Sequence, residues 1–329
     1  MKKATLDQWK ALYEATEKFV KNKPWEQFED LEIFALKLPN RKEKFYCSIM
    51  GYHKTCVGLA VYKGSKGLDA IVGIANQLSL TTQEYLSFDA GWMAVYLDSE
   101  EQLSDYQMEI LKQANRSCSH AEVYMVMQPH CFPNDPNEEE VVLLKEVITA
   151  LNEAIEYYYS LKINFDFDNN VFVYDSAKKK HRKQKLELSL SHYPMIVLNQ
   201  EYLDDLEDLQ RNSDTWGMDL VYLDEVFEEG EDTILRCKGF FVENQTQGVL
   251  IEGMPLKPDE EVDTVIDVIL ELFEENGIPE RMVVRNPHMM SILMATCKEL
   301  QIQLTVEDDL EMIDEVLEML KSNESSILN

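Results

Sequence analysis

The sequence predicts a two-domain protein: an α+β N-terminal domain with an antiparallel meander and helices, and an α/β C-terminal domain with the order β-β-β-α-β-α-β-α in a mixed sheet. Three observations lead there. A length of 329 residues is more than one small core organises. A hydrophobic content of 45% with 10% aromatic residues supplies packed interiors and excludes a wholly disordered chain. Apolar spacing also alternates along the chain between the strand repeat and the helical repeat, most regularly from Met218 to Asn323.

Leu6, Trp9, Leu12, Tyr13, Thr16, Phe19 and Val20 fall on one helical face, and Pro24-Trp25 ends that helix. Strand-like runs follow at Leu31 to Leu38, Lys44 to Met50 and Thr55 to Tyr62. The polar turn Pro39-Asn40-Arg41-Lys42 makes them an antiparallel meander. Leu68 to Leu78 reads as a helix after Gly64 and Gly67. Trp92 to Leu97 is a fourth strand, and Ser99 starts a helix with Glu101 and Gln102 in its first turn.

A strand at Glu122 to Met127 leads into the proline-bearing loop Gln128 to Pro136. A long helix from Glu138 to Leu161 then places Val141, Leu144, Ile148, Leu151, Ile155 and Tyr158 on one side. Its Tyr157-Tyr158-Tyr159 run covers so much of the circumference that one ring is expected at a domain or subunit contact. Val171 to Tyr174 and Leu186 to Leu190 read as a hairpin, with the basic block Lys178 to Lys185 as its connection. A short helix is expected over Gln200 to Arg211. These elements divide the chain into a domain over 1–194, an acidic linker over 195–216 and an acidic domain over 217–329.

Charge narrows the function classes. Against 31 basic residues stand 61 acidic ones, a formal −30 with a pI near 4.5. From Met195 onward there are about 33 Asp and Glu against 8 Lys and Arg, a net near −25. Such a surface repels phosphate backbones, so nucleic acid is disfavoured as a partner and a basic protein or a cation is favoured. The basic block offers a contact to phosphate, to an acidic partner or to the acidic domain, although a solvated loop is its plainer reading. The start of the chain has no apolar signal core, and no run reaches the roughly 18 apolar residues of a membrane helix. Six irregularly spaced cysteines do not suggest a disulfide framework. The expectation is a cytoplasmic protein without a membrane partner.

Several stretches carry a family likeness: Trp9-x-x-Leu12-Tyr13, Pro24-Trp25, Cys47-Ser48-Ile49-Met50-Gly51, and Gly58-Leu59-Ala60-Val61-Tyr62-x-Gly64-x-x-Gly67-Leu68. In these the N-terminal part resembles an uncharacterised bacterial family that couples this domain to a second domain of unknown function. The second is similar from Gly248 onward, through Gly277-Ile278-Pro279, Val283-Val284-Arg285-Asn286 and the closing Leu310 helix. The resemblance implies a two-domain layout and brings no activity with it. The loop Gln128-Pro129-His130-Cys131-Phe132-Pro133 departs from the more Gly- and aromatic-rich family pattern.

The order of elements over Met218 to Leu320 is that of the ribonuclease-H-like fold. Many of its enzymes hold two divalent metals with acids from the first strand, first helix, fourth strand and a late helix. The catalytic candidates are therefore Asp219 and Asp224 on the first strand and Glu261, Asp263 and Asp267 on the first helix, with Asp308, Asp309 and Asp314 later. The fourth strand, Met282-Val283-Val284-Arg285-Asn286, ends in Arg and Asn where a nuclease needs an acid, and an Arg there competes with cations.

A second candidate is a metal site from Cys118, His120, His130 and Cys131, whose spacing is unlike the common zinc knuckles. Cys47, Cys56, Cys237 and Cys297 sit in apolar runs and read as packed thiols. No nucleophile elbow, Walker loop or dinucleotide glycine fingerprint occurs. The reading is a non-catalytic binding or interaction protein with no cofactor. The alternatives are a divalent-metal phosphodiesterase or nuclease of ribonuclease-H-like fold, and an acidic decoy that mimics DNA charge.

Overall fold

Thr5 starts the first helix, α1 (Leu6–Asn22), by a reciprocal capping box. Its hydroxyl accepts from the Gln8 backbone N–H, and the Gln8 side chain accepts from the Thr5 N–H. The helix buries Trp9, Leu12, Tyr13, Thr16 and Phe19, the face its spacing marks out, and stops at Lys23 in the left-handed region. The computed structural model describes residues 2–98, 103–117, 121–229, 233–257 and 261–327. The chain divides into two compact units, residues 1–76 with 86–188, and residues 77–85 with 189–329.

The first unit is built on a seven-stranded sheet. Its strands are β1 (Phe34–Lys37), β2 (Lys44–Met50), β3 (Gly58–Lys63), β4 (Trp92–Asp98), β5 (Ala121–Met127), β6 (Asn170–Asp175) and β7 (Lys180–Lys185), in the order β5-β4-β3-β2-β1-β6-β7. The expected meander is present: β1 through β5 pair antiparallel with their sequence neighbours. Only β6 joins β1 in parallel, across the connection that holds the long helix α5 (Glu138–Leu161).

Alternation along the strands separates two cores. Phe34, Leu36, Phe172 and Tyr174 face α1 and α5 in the larger one. Ile33, Ala35, Val171 and Val173 face Leu68, Ile71 and Val72 of α2 (Gly64–Ala75) in the smaller. All three tyrosines of α5 find ring neighbours inside this unit: Tyr158 and Tyr159 on Phe28, and Tyr157 on Tyr174 and His181.

Three local expectations change. A helix, α3 (Leu80–Ala90), stands where the sequence showed none; its apolar residues do not gather on one face. The start proposed at Ser99 lies outside the described residues, and the described helix is α4 (Asp105–Gln113), capped by the Ser104 hydroxyl. The hairpin partner of β6 is the basic block itself, β7, rather than Leu186 to Leu190. As an edge strand exposed along nearly its whole length, β7 has no apolar repeat to betray it, and its lysines remain in water. Lys179 pairs with Glu153, Lys183 with Asp166 and Lys178 with Asp175. At the opposite edge, the Gln107 side chain of α4 donates to Tyr124 O (2.7 Å) and accepts from Tyr124 N (3.0 Å) of β5.

The second unit follows the expected order of elements. After α6 (Gln200–Glu207) come β8 (Thr215–Glu229), β9 (Thr233–Asn244), β10 (Val249–Leu256), α7 (Glu261–Asn276), β11 (Arg281–Val284), α8 (Pro287–Glu299), β12 (Gln303–Val306) and α9 (Glu311–Ile327). The sheet order is β10-β9-β8-β11-β12. β8, β9 and β10 are antiparallel neighbours, whereas β11 pairs in parallel with β8 and β12. One face, with Val221, Phe241 and Val283, packs on Ile313 and Leu317 of α9. On the other, α7 brings Phe273 onto Trp216 and α8 brings Cys297 onto Met282. Among the described residues no helix is long and apolar enough to cross a membrane.

Candidate functional site

The parallel register of β11 on β8 sets Val284 beside Met218, so the next residue on each strand, Arg285 and Asp219, come side by side. Both side chains are almost fully buried, at 2% and 1% exposure. The Arg285 Nε donates to Asp219 Oδ2 at 2.7 Å, and its Nη2 lies 2.7 Å from the same oxygen. Nη1 reaches the Asp314 carboxylate of α9 at 2.6 Å and the Asp308 carbonyl at 3.3 Å.

Asn286 completes the cluster. Its amide donates to Asp219 Oδ1 and to Leu220 O, each at 2.9 Å, while its oxygen accepts from Met289 N as the cap of α8. Both oxygens of Asp219 are thus engaged, and one buried cluster ties together β8, β11, the start of α8 and the first turn of α9.

The two ends of the ion pair respond differently to burial. At Asp219 burial outweighs the pull of Arg285 and Asn286, and the carboxyl is pushed up to about 6. At Arg285 burial opposes the charge, but Asp219 and Asp314 together outweigh it and hold the guanidinium above its ordinary value. One cation serves Asp219, whereas two carboxylates serve Arg285.

The structure therefore joins the carboxylates of Asp219 and Asp314 through Arg285, touches Asp308 only at its backbone carbonyl, and leaves the carboxylates of Asp224, Asp263, Asp267 and Asp309 elsewhere. Asp224 pairs with Arg236, which also meets Glu84 at 3.3 Å. Asp263 and Asp267 are exposed on α7, and Asp308 and Asp309 are exposed before α9. Glu261 begins α7, and its side chain lies outside the described residues. Cys118 and His120 also lie outside them. Their proposed companions sit in the proline loop, where His130 N donates to Phe88 O and Cys131 N to Gln128 O. Among the described residues no group of three or more His, Cys, Asp or Glu is arranged to hold a metal ion.

Sequence reasoning missed the charged residues packed inside β9. Lys238 is fully buried, its Nζ 5.4 Å from the Tyr85 ring centroid and 5.2 Å from that of Tyr222. Glu243, 1% exposed, accepts from Met312 N and Ile313 N at 2.9 and 3.1 Å and so holds the start of α9. The available signal was a charge interrupting the otherwise apolar run Cys237 to Val242.

Comparison with known proteins gives domains without an assigned activity. Residues 9–174 match a domain of unknown function (DUF7309), and residues 202–321 match another, DUF6930. No curated protein matches the chain. The first match spans just over half of the sequence and coincides with the meander and long helix, while the second spans most of the mixed sheet and its helices. The chain thus belongs to the DUF7309 family and joins that domain to a DUF6930 domain.

Proposed function

We propose that the protein acts by binding rather than by catalysis, with the second unit presenting an acidic surface to a basic protein partner in the cytoplasm. The observation that carries this reading is the engagement of Asp219. In the β-β-β-α-β-α-β-α arrangement, which is ordered like a ribonuclease-H-like sheet, the first-strand acid is the one a two-metal enzyme would use. Here Arg285 and Asn286 occupy both of its oxygens, and a metal would have to displace a buried guanidinium.

The partner's chemistry is suggested by the surface. Asp263, Asp267, Glu271 and Glu274 recur at helical spacing on the exposed side of α7, with Glu275 beside them. Cys47, Cys237 and Cys297 are buried free thiols, which fits a reducing compartment.

Affinity capture with the full chain, at low and at physiological salt, tests the reading: a basic protein retained more strongly at low salt is expected. Failure to retain any partner at either salt counts against it. Incubation with DNA and RNA in the presence of Mn2+ tests the catalytic alternative. Cleavage abolished by Asp219→Asn or Asp224→Ala would overturn the binding reading.

A further inference from the structure

The segment before α6, α6 itself and α8 enclose an apolar groove in the second unit, lined by Met195, Val197, Leu198, Leu203, Met294 and Ala295. Its large side chains lie open: Met195 is 55% exposed, Val197 68% and Met294 38%. Thr296, by contrast, is 2% exposed and lines the same groove, and its hydroxyl makes no hydrogen bond among the described residues. The exposed apolar side chains make this strip a surface that gains by being covered.

Charge and length say what covers it. The wall that supplies Leu203 is α6, and residues 200–208 contain five acids and no base; Asp204 and Asp208 are exposed there. Lys298 and Glu299 at the far rim cancel each other. The eight residues of α6 span about 12 Å, which is two turns of helix.

We propose that this groove receives a basic amphipathic helix of a partner protein. Apolar side chains at i, i+4 and i+7 fill the strip, and flanking Lys and Arg face the exposed Asp204 and Asp208. A second copy of this chain fits less well, because it would bring acid against acid. The proposal rests on the reading that the acidic unit binds a basic partner, and it names the place.

The test uses a labelled Leu/Lys peptide with its leucines on one helical stripe, and a scrambled peptide of the same composition. Binding to the full chain is read by fluorescence anisotropy. The striped peptide is expected to bind at least tenfold more tightly than the scrambled one. Val197→Ser with Met294→Ser, which removes exposed apolar groups without changing charge, is expected to cost at least tenfold at an unchanged urea midpoint. Met294→Gln alone is expected to cost a smaller part of that.

Equal binding of the two peptides, or binding unaffected by the groove variants, overturns the groove. If binding is instead lost on neutralising α7 (Glu271→Gln, Glu274→Gln, Glu275→Gln), the groove falls while the basic-partner reading stands. If sedimentation shows a dimer that the groove variants dissociate, the occupant is a second copy and the proposal is overturned.

Discussion

Arg285 holds Asp219 from the neighbouring parallel strand, with Nε 2.7 Å from Oδ2 and both side chains closed to solvent. Removing one member of such a pair leaves the other charge buried without its counterpart. Arg285→Leu is therefore expected to destabilise the second unit by about 3–5 kcal/mol. Replacing both, Asp219→Leu with Arg285→Leu, should cost less than the single change, because no charge is then stranded. Urea unfolding of the three proteins checks this, and a single-variant loss below about 1 kcal/mol would show that the pair is not a structural clip.

Acid should act on the same carboxyl in a defined direction. Its folded-state value, about 6, lies above the ordinary 3.8, so the folded chain takes up the proton at higher pH than the unfolded chain. Asp219 then contributes stability that is fully present below the unfolded value and is lost as pH rises through about 6. The difference amounts to about 3 kcal/mol. Asp219→Asn, which cannot titrate, is expected to gain on the native sequence by that amount as pH rises through this window. Unfolding curves of the two proteins that stay parallel across the window would contradict it.

The start of α9 depends on Glu243. Glu243→Ala removes the acceptor for Met312 N and Ile313 N and is expected to cost about 1–2 kcal/mol. The same contact explains Gly217, where an added Cβ would meet Glu243 Oε1 at 2.6 Å and Leu310 Cδ2 at 2.8 Å. Gly217→Ala should therefore cost about 1–3 kcal/mol by displacing that carboxylate. Hydrogen exchange over residues 311–317 should quicken in both variants, and unchanged protection would separate α9 from Glu243.

Thiol reagents should sort the described cysteines by burial. Cys56 is exposed, whereas Cys47, Cys237 and Cys297 are buried. Burial raises the Cys47 and Cys237 thiols and pushes Cys297 up to about 12, which suppresses the reactive thiolate. Peptide mapping after brief iodoacetamide treatment of the native protein is expected to find label on Cys56 before these three. Early label on Cys297 would mean that α8 opens readily from the sheet.

Much of the architecture was legible because burial repeats locally. The α1 face from Trp9 to Phe19, the α5 face from Val141 to Ile155 and the extent of β2 all follow from spacing within a few turns or one strand. What escaped depends on partners far along the chain. β7 carries no apolar repeat, since an edge position asks for none. The parallel seam of Phe34 on Phe172 is set by how α5 crosses the sheet. Arg285 is visible in sequence as a base where an acid would be expected, but its contact with Asp219 follows from the register of β11 on β8.

The two margins of the seven-stranded sheet have a further consequence. An unprotected outer strand is a template on which any extended chain can polymerise. On β5 the Gln107 amide answers a backbone N–H and C=O as a neighbouring residue would, and Asn134 does the same for Val126. On β7 three lysines and Arg182 set like charge against a second copy of the same strand, which meets repulsion and a cost of dehydration. The first unit is in this way closed to growth at both ends: one end is capped by an imitation of sheet pairing, the other guarded by charge.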